Sequence, residues 1–247
     1  MSRGVVMAGW RDVPHIPKQE QKDLLRTIPP YQRDARTKGI PQLGRGAIYP
    51  IEETEITCEP FKIPKHWPRA YALDVGWKRT AALWGAFDRE EDTWFLYAEY
   101  YRGHAEPSVH ASAVKGRGLW IPGCVDPAAR GRGQKDGEQL IEQYRELGLD
   151  LALADHSVEA GIFAVYERLS TGRLKVFTLL RNWLAEYRIY RRDELGRIVK
   201  AADHLMDDTR YLVLTGPDIM ITEPVDEGDI HAQRAAQARG KSKTGYG

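Results

Sequence analysis

Asp74 stands inside the apolar run YALDVG, residues 71–76, where no turn accounts for a carboxylate. A charge within a strand is costly unless something pairs with it. Two further aspartates have related settings. Asp126 closes LWIPGCVD just before Pro127, and a residue before proline is extended, so Asp126 projects from the C-terminal end of a strand, where α/β folds build their sites. Asp207 falls in the first turns of a final helix, ADHLMDDTRYLVL, with Asp203 or His204 one turn away on the same face. Carboxylates gathered at one place repel unless a cation lies between them. Hard oxygen ligands, with few histidines and only two cysteines in the chain, point to Mg²⁺ or Mn²⁺ rather than zinc. Two such ions about 4 Å apart form the clamp used for in-line attack on a phosphodiester.

The acids other than Asp74 also have a plainer reading. Asp126 alone reads as a turn former, and Asp207 alone as an exposed helix acid. Asp203 and Asp208 compete with Asp207 for the role of ligand, and His204 divides evenly between a helix surface and a place beside a metal. Asp155 and His156, in ADHS, follow another strand on the same edge, where a substrate contact competes with helix capping. Asp74 has no such alternative.

Cations flank these acids. Lys78 and Arg79 follow Asp74; Arg130, Arg132 and Lys135 follow Asp126; and Arg188, Arg191, Arg192, Arg197 and Lys200 crowd a late segment. Such charges suit a phosphate backbone, which dominates nucleic-acid affinity. No feature reads as a major-groove helix, so weak sequence preference is expected. The overall charge, +1 from 36 basic and 35 acidic residues, does not by itself indicate a polyanionic partner. GKS in RGKSKTG, near the end, lacks the glycine five residues earlier that a phosphate loop needs, and GRGQKDG also fails. ATP hydrolysis by this sequence is therefore not expected.

The elements that must position these residues begin with a change of texture. Residues 1–68 are rich in proline, with one helical stretch, PKQEQKDLLRTI, and read as an arm or linker without a core of its own. From Arg69, RAYALDVG, TAALWGAFD and TWFLYAEYYR are three β-rich runs with short connections, an antiparallel meander. A short helix PSVHASAVKG, a strand LWIPGCVD and a helix DGEQLIEQYRELG follow, the last with Gly148 at its C-cap. The strand DLALAD, the helix SVEAGIFAVYERLSTG capped by Ser157 and the strand LKVFTL come next. YRIYRRDELGRIVK reads as a hairpin turning at DELG, before the final helix. The pattern predicts an α/β domain over 69–225 with a mixed central sheet and helices on its faces, and a basic tail over 226–247. Two cysteines suit a reducing compartment. No stretch approaches the ~20 apolar residues of a membrane helix, so a cytoplasmic setting is expected.

In this order, ALDVG, VDPAA and DHLMDDTRY resemble the nuclease domain of phage terminase large subunits, in the lineage of tailed phages that package by the headful. DVPHI, IPPYQRDARTKGIP and GAIYPI resemble the stretch that joins that domain to the packaging ATPase. The resemblance spans roughly residues 5 to 225. It implies a ribonuclease H-like fold, two divalent metals and endonucleolytic cutting of concatemeric viral double-stranded DNA in the host cytoplasm. The matching acids are Asp74, bridging both ions, Asp126 and Asp207, with His204 in the family's histidine-before-aspartate position. Implied partners are the packaging ATPase domain, whose phosphate loop this sequence lacks, the portal through the basic tail, and the small terminase subunit. Two other readings compete: a catalytically weak DNA- or portal-docking module, and another ribonuclease H-like nuclease such as a junction resolvase. An actin-like or sugar-kinase ATPase ranks last, lacking a second phosphate hairpin.

Overall fold

The computed structural model describes residues 17–27, 46–127, 140–200 and 202–224. Seven strands form one mixed sheet in the order β1-β7-β4-β3-β2-β5-β6. The expected meander is its centre: β2 (Arg69–Asp74), β3 (Thr80–Asp88) and β4 (Thr93–Arg102) pair antiparallel through short turns. β5 (Gly123–Val125) and β6 (Leu151–Leu153) extend the β2 side in parallel, and β7 (Leu174–Phe177) runs parallel to β4 on the other.

Alternation along the strands explains why both faces are covered. Ala70, Ala72, Ala81 and Leu83 join one core, while Tyr71, Leu73, Ala82 and Trp84 join the other. Helices α3 (Pro107–Lys115) and α4 (Leu140–Glu146) cover the Tyr71 face through Ala111, Val114, Ile141 and Tyr144. On the opposite face lie α5 (Val158–Ser170), α6 (Arg181–Ile189) and α7 (His204–Ile219). α7 carries Leu205, Met206, Tyr211 and Leu212 into that core, all four of them buried. β2 and β3 therefore read as nearly unbroken apolar runs, which makes the polar exceptions conspicuous.

Three expectations need correction. The core and the sheet reach back before residue 69. Ile48, Tyr49 and Ile56 are buried in the core, the short α2 (Glu53–Ile56) leads into β1 (Thr57–Cys58), and β1 pairs with β7 at the sheet edge. Prolines flanking this stretch disguise it, because they interrupt periodicity without preventing burial. The strand expected over 119–126 is only Gly123–Val125, since Pro122 has no N–H for a ladder. The segment read as a hairpin from Tyr187 begins instead inside α6. Trp183, Leu184 and Tyr187 give that helix its buried face, and only Arg192 and Ile198 bridge across the turn at Gly196. In the arm, Lys18–Thr27 is helical as expected and forms α1.

Candidate active site

The site begins with two parallel neighbours. Leu73 on β2 is in register with Val125 on β5, so Asp74 and Asp126, each one residue further on, leave the sheet at the same edge. The backbone amide of Asp126 donates to the carbonyl of Leu73 at 3.3 Å. Residue 123 is glycine where β5 passes the Tyr71 ring; a Cβ there would collide with the ring's Cζ.

α7 lies across β2, β3 and β5 and brings the third contribution. His204, its first residue, places Nδ1 2.6 Å from Asp74 Oδ2. Because a carboxylate only accepts, the imidazole donates this bond. The bond to Asp74 holds the His204 imidazole above its ordinary range, against the opposing effect of burial.

Asp207, one turn on, is held by Arg210 at 2.6 Å and Lys200 at 3.5 Å. Burial pushes its carboxyl up, with Arg210 pulling the other way. Asp203 precedes the helix and pairs with Lys200 at 2.8 Å. Asp208 is fully buried, and neither of its oxygens has a hydrogen-bond partner. Burial raises its carboxyl far above the usual range, and Asp74, Glu186, Asp207 and Asp126 add to this in that order. Asp208 lies four residues after His204, so both occupy the helix face turned to Asp74.

Of the acids selected from sequence, the structure thus sets Asp126 beside Asp74 and ties His204 to Asp74. It holds Asp207 and Asp203 with cations. Among the described residues no three His, Cys, Asp or Glu side chains are already arranged to hold a metal ion. The donor chemistry nonetheless fits a hard divalent cation: carboxylates predominate, and the buried oxygens of Asp208 lack a partner. The nearby Cys124 is no competitor, because burial and then Asp208 push its thiol well up and keep it protonated.

Glu186 and Tyr101 were missed in the sequence. Glu186, on α6, accepts the N–H groups of Leu205 and Met206 and the hydroxyl of Tyr101. The signal was available, since Trp183, Leu184 and Tyr187 put position 186 on the buried face of a helix; reading Tyr187 as a strand start concealed it.

The cations divide by position. Lys78 is exposed in the turn after Asp74, and Arg79 lies 4.4 Å over the Tyr101 ring. In the late segment Arg191 is exposed, while Arg192 bonds to Glu159, Arg197 to Asp193 and Lys200 to Asp203. Arg188 pairs with Glu53. That group is therefore largely neutralised by local acids. Arg130, Arg132, Lys135 and the basic tail lie outside the described residues. Asp155 accepts the amide of Ser157 at 2.8 Å, a local turn ahead of α5 and not a helix cap; Ser157 occupies the cap position but makes no side-chain capping bond.

No family model matches the sequence. The terminase large subunits of Enterobacteria phage LP7 and Salmonella phage P22 are each 34% identical over 222 residues, 85% of this chain. The chain spans 46% and 44% of those relatives' lengths. Among solved structures, the P22 large terminase nuclease domain superimposes with a TM-score of 0.67 at 30% identity, covering 73% of this chain and 96% of that one. The large terminase of a thermophilic bacteriophage shares the fold at 20% identity and a TM-score of 0.60, over 84% of this chain and 55% of that one. The large terminase nuclease of another thermophilic phage, G20c, solved with bound magnesium, shares it at 13% identity and a TM-score of 0.50, over 68% and 97%. With a ribonuclease H-like sheet, two acids at adjacent parallel strand ends and a near-complete match to the P22 domain, this chain belongs to the phage terminase large subunit family and corresponds to its nuclease domain.

Proposed function

We propose that this chain is a divalent-metal-dependent endonuclease that cuts concatemeric viral double-stranded DNA during genome packaging in the host cytoplasm. The observation that carries this reading is the convergence on Asp74: Asp126 leaves the adjacent strand end, and His204 arrives from α7 at 2.6 Å. Asp74, Asp126 and Asp207 would hold the metal, with His204, Asp203 and Asp208 adjoining. Two Mg²⁺ or Mn²⁺ ions, when bound, would supply an activated water and neutralise the leaving oxygen.

The chain's own residues do the rest. His204 fixes the Asp74 carboxylate by its hydrogen bond. Arg210 and Lys200 favour the charged form of Asp207, opposing the burial that raises its carboxyl. Lys78 and Arg79 lie just past Asp74 on the same edge and are suited to phosphate contacts, with Arg191 further out; Arg130, Arg132 and Lys135 would add to them beyond Asp126. Arg192, Arg197 and Lys200 would first exchange a carboxylate for a phosphate. None of these contacts reads bases, so cutting is nearly blind to sequence. The packaging ATPase domain would lie in the part of the relatives this chain does not span, and the portal and small subunit would be further partners.

A second reading, a DNA- or portal-docking module with little turnover, draws on the pairing of Asp74 with His204 and Asp207 with Arg210, which leaves the acids balanced without metal. Cleavage of supercoiled plasmid in Mg²⁺, Mn²⁺ or EDTA separates the two. Metal-dependent cutting by wild type, lost in Asp74→Asn, Asp126→Asn and Asp207→Asn, supports the nuclease. Folded wild-type protein that leaves plasmid intact in both metals supports docking.

A further inference from the structure

Glu186 is 3% exposed, and its two oxygens face different elements. Oε2 accepts the backbone N–H of Leu205 at 2.6 Å and of Met206 at 3.4 Å, both in the first turn of α7. Oε1 accepts the Tyr101 hydroxyl from β4 at 2.6 Å. The first amides of a helix have no partner within it. Asp203, which occupies the cap position, makes no side-chain capping bond. The cap of α7 is therefore supplied by a different helix, through a carboxyl that burial raises and that sits at the positive end of the helix dipole.

The same contact reaches further. The Tyr101 ring carries the Arg79 guanidinium at 4.4 Å and meets the His204 ring at 6.3 Å, inclined by 62°. Arg79 belongs to the turn that follows Asp74, and a side chain at Gly103, after β4, would collide with the Lys78 carbonyl of that turn. A continuous series of contacts thus runs from Arg79 through Tyr101 and Glu186 to the start of α7, and from His204 back to Asp74.

We infer that Glu186 is a positioning residue: it holds the N-terminus of α7 where His204 meets Asp74, and through Tyr101 it links that placement to Arg79 on the turn that faces DNA. The link to DNA rests on the nuclease reading; the placement of α7 does not. An uncharged side chain of the same shape, as in Glu186→Gln, can still accept the amides of Leu205 and Met206. Glu186→Ala leaves those amides unpaired in the interior.

The test compares wild type, Glu186→Gln, Glu186→Ala and Tyr101→Phe as the full chain, with histidine labelled by ¹⁵N. The Nδ1–H resonance of His204 reports its bond to Asp74 without requiring activity. We expect it in wild type, Glu186→Gln and Tyr101→Phe, and its loss in Glu186→Ala. Plasmid cleavage in Mn²⁺ should fall by roughly 10–100-fold in kcat for Glu186→Ala, as for other supporting-shell changes, with KM for DNA nearly unchanged and with recovery in Glu186→Gln. A short duplex added in EDTA should shift the resonance in wild type but not in Tyr101→Phe.

An unchanged resonance and kcat in folded Glu186→Ala would overturn the positioning role. If Glu186→Ala does not fold, Glu186→Asp, whose carboxyl is one methylene shorter and withdraws from those amides, takes its place, and an unchanged resonance and kcat there overturn the positioning role. A DNA-induced shift that survives in Tyr101→Phe overturns the link to Arg79. Wild-type protein that shows the resonance but neither cuts nor responds to DNA removes the nuclease reading and the link together, leaving the placement of α7 judged by Glu186→Ala alone.

Discussion

His204 and Asp74 stand 130 positions apart in sequence and meet at 2.6 Å between Nδ1 and Oδ2. The contact links stability to pH. Because Asp74 raises the imidazole above its ordinary value, the folded state keeps a proton that the unfolded state has released. The stabilisation is complete below the unfolded histidine value of about 6.5 and is lost as pH rises through the folded one. Thermal melts in EDTA, compared between wild type and His204→Asn over that range, should show a fall with pH that the variant lacks. Parallel profiles would refute it.

Asp208 should behave in the opposite sense to a paired acid. Its raised carboxyl, due first to burial and then to Asp74, means that wild-type stability declines from about pH 3.9 upward until the folded group ionises. Asp208→Asn removes that decline while keeping the shape. At neutral pH without metal its Tm should exceed that of wild type, by about 2–4 °C for each kcal/mol regained in a chain of this size. A lower Tm would show that the charge is needed for folding.

Arg210 is 2% exposed and bonds Asp207 at 2.6 Å. Removing one partner of a buried pair leaves the other uncompensated, at a cost of about 3–5 kcal/mol. Urea unfolding of Arg210→Met should reveal a loss of that size. A change under about 1 kcal/mol would mean that solvent, not Arg210, stabilises Asp207, as at an exposed pair.

Gly123 is the point where β5 passes the Tyr71 ring. Gly123→Ala inserts a methyl group into that contact, and overpacking of this kind destabilises by about 1–3 kcal/mol. Because Asp126 follows on the same short strand, cleavage should fall further than stability does. The comparison is made at a temperature where both proteins are folded. Equal cleavage by the two would show that β5 can move without disturbing Asp126.

Much of this architecture was legible because it depends on local periodicity. The strands at Arg69–Asp74, Thr80–Asp88 and Thr93–Arg102 are dense in β-formers, and their short connections leave only antiparallel pairing. Asp74 declared itself because a carboxylate between Leu73 and Val75 lacks any local partner. The final helix could be read from the apolar spacing of Leu205, Met206, Tyr211 and Leu212, though not its start at His204. Ile48 and Ile56 could not be placed in the core from sequence, since burial in a proline-rich stretch depends on what it is laid against. Glu186 differs: its place on the buried face of α6 was legible, but its partners on α7 and β4 were not.

The sequence by itself therefore determined most of the strands and helices and drew attention to Asp74, because residue type and spacing along a strand or helix are local properties. Only the tertiary structure decided which partners each acid meets. Asp207 and Asp208 are adjacent, yet successive helix positions point about 100° apart. One consequently meets Arg210 and Lys200, and the other lies buried near Asp74 and Glu186. That division follows from how α7 is rotated against the sheet, which long-range packing and the cap from Glu186 fix together.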